Sequence, residues 1–528
     1  MEVWFILLLS LCLCAAIKYF LHLSSHGKSK QTKLSLPPGP PKVPIIGNLI
    51  WLFKFFSDIE VTIHNLHLKY GPIITLNISS QPAIFITTHS LAHQALIENG
   101  AAFADRPPPT DSGRIITSNQ HNINSAAYGP LWRVLRRNLT SEILHHSRVK
   151  SFSHARKWVL QILKARLSSH VKSGEPVRVM DNLQYVMFCL LVFMCFGDKL
   201  DEKVIREIED IERKLIGILR IFSVLAFFPT LGKFFFRKHW EQLLDMRHRE
   251  DSIIIPLIRA RKERKEKMIQ KQNQNPDDEF FASYVDTMFN LEIPDDDGDE
   301  GGRRKLTEQE MVTLCSEFLN AGTDSTSAAL QWIMANLVKH QEIQEKLYSE
   351  IKGVLVGRGE EEEEIKEEDL AKMPYLKAVV LEGLRRHPPA HFVLPHAVTE
   401  DIVLDGHIIP KNATVNFMVA QMGWDPKVWK DPMEFNPERF LLGDDHDQGV
   451  VFDMTGSREI KMMPFGAGRR ICPGLTLAML HLEYFVANLI RDFKWTAVEG
   501  VGVDLSEKQV LTVAMKNPLQ AHISPRVK

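Results

Sequence analysis

Three stretches of the chain carry a clear hydrophobic rhythm. The first is at its start, where residues 3–17 (VWFILLLSLCLCAAI) are almost wholly apolar, Lys18 interrupts, and Tyr19-Phe20-Leu21 resumes. About 20 apolar residues cross a bilayer. Glu2 stands where a cleaved signal would be basic, and no small-x-small cleavage site follows. Positive charge comes afterwards, at Lys18, Lys28, Lys30 and Lys33. The pattern predicts an uncleaved anchor over residues 1–23, with the rest of the chain on the cytosolic side. The second stretch opens on Thr307-Glu308-Gln309-Glu310, a capping box. Apolar residues recur at Met311, Leu314, Phe318, Leu319, Leu330, Ile333 and Leu337, which predicts a helix to about His340, roughly 50 Å long. So long a helix must cross the core. Its middle, residues 321–326 (AGTDST), is nevertheless small and polar, and such a conflict between pattern and burial marks a functional site. The third stretch lies near the C-terminus, with Leu475, Met479, Leu482, Phe485, Val486 and Leu489 at helical spacing.

Between these, Leu36-Pro37-Pro38-Gly39-Pro40-Pro41 reads as a stiff, non-helical hinge within residues 24–44. A helix is predicted over residues 375–386, ending at His387-Pro388-Pro389. A strand over residues 397–404, a turn at Asp405-Gly406 and a second strand at Ile408-Ile409 follow. Residues 270–278, 294–305 and 359–364 are charged or polar enough to read as surface loops, and no metal site is expected in them. The fold class is therefore mainly α with a smaller β part, with one body over residues 45–528 preceded by one transmembrane helix.

Composition changes this picture little. Hydrophobic residues make up 45% of 528, enough for a large core. Lys plus Arg number 64 against 65 for Asp plus Glu, a net charge of −1, so no nucleic-acid partner is expected. The 6 cysteines, Cys12, Cys14, Cys189, Cys195, Cys315 and Cys472, show no paired spacing, which fits a reducing compartment.

The chemistry concentrates at Pro464-Phe465-Gly466-Ala467-Gly468-Arg469-Arg470-Ile471-Cys472-Pro473-Gly474. Cys472 precedes the third helical stretch, and the positive end of a helix dipole favours a thiolate. Glycines in the loop let backbone approach a flat ligand, and Arg470 could neutralise a carboxylate on it. A buried small hydrophobe is the plain alternative for a lone cysteine. A nucleophile would need a base, and no local signature supplies a His. The Gly-x-Gly lacks the third glycine and βαβ setting of a dinucleotide site.

With Phe465, Gly468, Arg470, Cys472 and Gly474 in one register, the sequence resembles the cytochrome P-450 superfamily. The resemblance runs along nearly the whole chain. Glu382 and Arg385 match its Glu-x-x-Arg, Pro437-Glu438-Arg439-Phe440 its Pro-Glu-Arg-Phe, residues 321–326 its oxygen-binding helix motif, and Trp132 and Arg136 its Trp-x-x-x-Arg. The anchor and proline hinge are similar to the microsomal class. Residues 376–389 and 517–528 resemble plant A-type members, within them plant family 89, subfamily A. The resemblance implies haem b (iron protoporphyrin IX) with Cys472 as the axial metal ligand, whose thiolate favours O–O cleavage. It implies propionate contacts from Trp132, Arg136, His396 and Arg470, and a structural lock of Glu382, Arg385 and Arg439. It implies proton delivery through Asp324, Ser325 and Thr326. Ser325 departs from the usual Thr; it keeps the hydroxyl but lacks the methyl that stiffens χ1.

No Rossmann fingerprint occurs, so electrons are expected from a partner, by resemblance the NADPH-dependent flavoprotein reductase of the same membrane. Arg133 and Arg137 are candidate docking charges. The implied substrate pocket draws on residues 105–124, 222–231, 318–321, 391–393 and 511–512, mostly apolar, which suits an apolar or mixed small-molecule plant metabolite together with O2. The implied site is a single-pass protein of the endoplasmic reticulum membrane, in contact with lipid and with its catalytic part cytosolic; the sequons at Asn77, Asn138 and Asn412 are then unmodified. Two other functions compete: a haem-thiolate isomerase or dehydratase needing no O2, and a non-catalytic haem-binding protein. Intact Asp324 and Ser325 weigh against the first, and a competent side chain at every matched catalytic position weighs against the second.

Overall fold

The computed structural model describes residues 34–41, 59–78, 81–225, 236–272, 282–295, 302–356, 364–441, 452–509 and 512–526. The expected anchor at residues 1–23 and much of the hinge lie outside these residues, as do most of the loops at 270–278 and 359–364 and parts of the pocket segments at 222–231 and 511–512.

Helices dominate. The principal ones are α1 (Ile59–Tyr70), α2 (Pro130–Glu142), α3 (Ser153–Ser173), α4 (Val179–Phe196), α5 (Glu202–Leu225), α6 (Arg237–Gln272), α7 (Glu308–Lys339), α8 (Gln341–Leu355), α9 (Pro374–Arg386) and α10 (Leu475–Asp492). The expected core-crossing helix is α7. Its capping box forms in full: the Glu310 amide donates to Thr307 Oγ1 at 3.2 Å, and the Thr307 amide donates to Glu310 Oε2 at 2.8 Å. This satisfies N–H groups that a bare helix start leaves unpaired. α7 packs against α4, α9 and α10. α4 is long and apolar enough to cross a membrane, with mean hydropathy 1.7, yet 83% of it is buried inside the body. Its apolar surface faces α3 and α7, so it is the central core helix.

The smaller β part includes β1 (Ile73–Ile78), β2 (Gln81–Ile86), β3 (His396–Ala397), β4 (Ile402–Leu404), β5 (His407–Ile409), β6 (Thr414–Phe417), β7 (Glu507–Gln509) and β8 (Val513–Met515). One sheet has the order β1-β2-β6-β3, with β2 and β6 parallel and the other pairs antiparallel. The single strand expected over residues 397–404 is two strands in two sheets. His396–Ala397 pairs with β6, whereas Ile402–Leu404 pairs with His407–Ile409. An apolar run gives no sign of which partner each half takes; here the Thr399 amide donates to Ala102 O at 2.9 Å and the chain leaves the first sheet. The Asp405-Gly406 turn is present, both residues at positive φ (49° and 73°), as a tight two-residue hairpin requires. The expected loop at 294–305 is flanked by a short hairpin, Glu292–Pro294 against Arg303–Lys305.

The described part of the proline hinge lies on the body. Pro38 O accepts the Thr75 amide at 2.9 Å, and Ser35 O accepts the Ile408 amide at 3.0 Å. A Cβ on Gly39 would stand 1.9 Å from Thr75 O, so only glycine permits this approach.

Candidate functional site

The cysteine loop is closed by its own backbone before α10 begins. The Cys472 amide donates to Phe465 O at 2.9 Å, and the Ile471 amide to Gly468 O at 3.1 Å. Gly466 and Gly468 sit at φ +69° and +70°. A Cβ on Gly468 would meet Leu96 O at 2.0 Å, so backbone contact and left-handed conformation both demand glycine there. α10 starts at Leu475 with Gly474 as its cap; Cys472 stands just ahead of the helix, not on it. Burial pushes the Cys472 thiol up, while the Gly474 amide and the Arg136 guanidinium act the other way.

Around this loop the arginines have unequal occupancy. The guanidinium of Arg470 donates from Nε to Ala104 O at 2.7 Å, and from its two terminal nitrogens to Ile123 O at 3.2 Å and Ala126 O at 2.6 Å. Three of its five N–H groups are thus used. Burial and the nearby Arg106 push its pKa down to about 9. Arg136 donates to Ile471 O at 2.6 Å, leaving most of its fork free. Trp132 lies 4.5 Å beneath the Arg470 guanidinium, and its buried Nε1–H has no partner among the described residues. Buried N–H groups are seldom left so. His396 Nδ1 lies 2.6 Å from Phe103 O, to which it donates, and burial lowers its pKa to about 3. The unspent donors of Trp132, Arg136 and Arg470 fit a flat ligand carrying carboxylates, whereas neutral His396 has used its one N–H on Phe103 O.

Across the site, α7 opens where its sequence turns small and polar. Ala321 is exposed, and Gly322, Asp324 and Ser325 are half-buried, although the helix is mainly buried on both sides of them. Asp324 accepts from Gln184 Nε2 of α4 at 2.8 Å, and burial raises its pKa. The Ser325 hydroxyl donates to Ala321 O at 2.7 Å, leaving its oxygen able to accept a second proton donor. Thr326 is buried.

The expected lock assembles completely. Arg385 donates from Nε and one terminal nitrogen to the two oxygens of Glu382 at 2.7 and 2.8 Å, and to Gly423 O, Pro432 O and Glu434 O at 2.6, 2.8 and 3.1 Å. All five of its N–H groups are satisfied. Glu382 Oε1 also accepts the Asn436 amide at 2.8 Å and Arg439 Nε at 3.1 Å. This cluster joins α9 to the turn Pro437–Phe440.

Sequence reasoning missed several residues here. Arg106 donates to Asn124 O, Leu394 O and Pro395 O at 2.7, 2.9 and 2.8 Å. Burial lowers its pKa to about 10. Glu317 of α7 accepts the Ile123 and Asn124 amides at 2.9 and 2.6 Å, and loss of water raises its pKa to about 7. Glu317 falls on the helical stripe of α7, a usable signal; Arg106 follows no periodic pattern. A groove of about 2460 Å³ opens beside α10, lined by Leu475, Met479 and Glu483. None of the expected haem-side residues lines it, so side-chain chemistry locates the site, not cavity size.

Comparison with known proteins gives the family and the fold. The family model described as Cytochrome P450 matches residues 37–523. The chain is 50% identical to "Cytochrome P450 89A9" of Arabidopsis thaliana over 527 residues, 99% of each chain. It is 30% identical to "Costunolide synthase" of Cichorium intybus over 503 residues, 93% of each. It is 29% identical to "Flavonoid 3'-monooxygenase" of Arabidopsis thaliana over 533 residues, 99% of this chain and 98% of the relative. Among solved structures, a zebra fish cytochrome P450 with abiraterone superposes with TM-score 0.69 at 21% identity, covering 88% of this chain and 99% of the other; it shares the fold.

Proposed function

The chain belongs to the cytochrome P450 family, and on that premise we propose that Cys472 is its haem-iron ligand and that it oxidises an apolar or mixed plant metabolite with NADPH and O2. As a family member it is a monooxygenase that holds haem through a cysteine thiolate. When bound, the haem supplies the redox chemistry that places one oxygen atom of O2 on the substrate. One observation carries the assignment of this chain's own residues: the orphaned Trp132 Nε1–H and the unspent fork of Arg136 beside the cysteine loop. Trp132, Arg136 and Arg470 would hold the propionates, His396 would join them only where a propionate charges its ring, and the Gly474 amide supports the Cys472 sulfur. Phe465, Gly468 and Gly474 give the loop its shape. Asp324 holds a proton more readily than an exposed carboxyl would, because burial raises its pKa; the Ser325 hydroxyl stands beside it in the chain and Thr326 follows, so the three form the proton-handling stretch of α7. Glu382, Arg385 and Arg439 keep the turn Pro437–Phe440 against α9.

Electrons come from an NADPH-dependent flavoprotein reductase, with exposed Arg133 and Arg137 as docking charges. Residues 1–23 anchor the chain once in the endoplasmic reticulum membrane, its catalytic body, residues 45–528, in the cytosol. The test is spectral. The purified protein should give the red-shifted Soret band of a thiolate-ligated, reduced carbon monoxide complex, and Cys472→Ser should abolish it. Turnover should require both NADPH and reductase. A band retained in C472S, or product formed without reductase, rejects the reading.

A further inference from the structure

A second charge cluster lies away from the cysteine loop, at the head of the segment 391–393 expected to line the pocket. His391 is 5% exposed. Its Nδ1 stands 3.1 Å from Glu60 Oε1 of α1, and its Nε2 stands 3.0 Å from Glu507 Oε2 of β7. Both ring nitrogens face carboxylates. Among the described residues, the contacts of Glu60 Oε1 and His391 Nε2 are ion pairs and not aligned hydrogen bonds, but two carboxylate oxygens at ion-pair distance favour the charged ring. Among the described residues, the groups near it include His387, whose Nδ1 is 3.0 Å from Glu507 Oε1, Arg386, 4.0 Å from the same oxygen, and the edge-on Trp424 ring at 5.2 Å. Burial lowers His387 to about 4 while the two carboxylates raise His391 to about 9. A single positive imidazole thus sits between two negative groups.

Four segments of the fold meet at this point. Glu60 brings α1 and Glu507 brings β7. Trp332 of α7 stacks on His387 at 4.0 Å and donates from Nε1 to Val513 O of β8 at 2.9 Å. The Val513 amide donates to Pro389 O at 2.8 Å. From His391 the chain runs through Phe392, Val393 and Leu394 to the cysteine site. Val393 Cγ1 is 3.6 Å from where a Cβ on Gly466 would stand. Leu394, although apolar, is 49% exposed. Arg106 holds the far end through the carbonyls of Leu394 and Pro395. An apolar segment beside the cysteine loop is therefore held at one end by buried His391 and at the other by half-buried Arg106.

We infer that His391 is a positioning residue for ligand size: held between Glu60 and Glu507, it fixes residues 392–394 against the cysteine loop, and binding of a bulky aromatic ligand depends on it. This deepens the haem-thiolate reading and rests on it. The tie is electrostatic and cooperative across α1, β7 and the chain after α9. Loss of the imidazolium leaves two carboxylates facing one another in a buried place, which drives these segments apart.

The experiment uses the full-length holoenzyme in detergent and two iron-binding probes read by their Soret shifts. Imidazole needs only the iron; clotrimazole must also fit the apolar wall. In His391→Gln, clotrimazole should bind about tenfold more weakly, roughly 1.4 kcal/mol, with imidazole within about twofold of wild type. In the wild type, clotrimazole affinity should fall as pH rises through about 9, the pH to which the carboxylates raise His391, and H391Q should lack that step. Should H391Q not yield holoenzyme, Glu507→Gln removes one carboxylate and keeps the ring, and should show the same selective loss at about threefold. Unchanged clotrimazole affinity, equal loss of both probes, or a pH step retained in H391Q overturns the inference. A wild-type protein with no thiolate carbon monoxide band overturns the underlying reading instead, so the two failures are distinguishable.

Discussion

The lock at Glu382 and the cradle around Cys472 are both built from charge taken out of water, and they differ in how fully that charge is used. In the lock, Arg385 spends all five N–H groups and Glu382 accepts from Arg385, Arg439 and the Asn436 amide. In the cradle, Arg470 keeps two N–H groups, Arg136 keeps most of its fork, and Trp132 Nε1 has no partner among the described residues. A saturated network has nothing left for a ligand and can only hold structure. An unsaturated one is costly until something completes it. The lesson is that leftover donors, not the density of charge, distinguish a binding place from a brace.

Glu382→Ala should have the largest effect. It strands the fully buried Arg385 without its counter-ion, a loss of about 3–5 kcal/mol. Denaturant unfolding of the holoenzyme measures it, and a loss below about 1 kcal/mol would erase the contrast between the two clusters. Trp132→Phe should do the opposite. Removing an unpaired buried N–H relieves a cost that offsets the packing lost with the smaller ring, so the unfolding free energy of the haem-free chain should change by no more than about 1 kcal/mol. Haem affinity should fall about tenfold, read as transfer of haem to apomyoglobin, because one donor to a charged group is gone.

Two carboxylates of the same type sharpen the comparison further. Glu382 is saturated by cations, whereas Glu317 has two backbone amides and only distant help from Arg106 and Arg470. Burial raises its pKa from the ordinary 4.5 to about 7. The folded state then binds more protons than the unfolded one between those values, so this group makes stability decline as pH rises from 4.5 to 7. Thermal unfolding across that window should show the slope, and Glu317→Gln should flatten it. The smallest effect is expected at Ser325→Ala. Ser325 already spends its hydroxyl hydrogen on Ala321 O, so the lost acceptor should raise hydrogen peroxide release per NADPH by about twofold. Unchanged coupling would show that Thr326 or water serves equally well.

Much of this site was legible because its parts are close in the chain. Glu382 and Arg385 share a helix face by spacing alone, Thr307 and Glu310 cap α7 by spacing alone, and the cysteine loop is one contiguous run. The helix over residues 375–386 begins one residue earlier, at Pro374, and otherwise agrees. The strand over residues 397–404 was misread because alternation reports a half-buried strand without naming its partner. The periodic stretch after it puts Cys472 near a helix start; α10 begins only at Leu475, and burial opposes the thiolate that Gly474 and Arg136 favour.

The sequence by itself determined the family, the long polar-centred helix, the cysteine loop and the residues of the lock, because each is a local pattern of spacing and residue type. Only the tertiary structure decided which donors remain unspent, since that depends on carbonyls brought from Ala104, Ile123 and Ala126 to a single guanidinium. It alone placed Arg106 across residues 394 and 395, and seated His391 between Glu60 and Glu507. Satisfaction of a buried polar group is a property of everything around it in space, and no single segment of the chain contains that information.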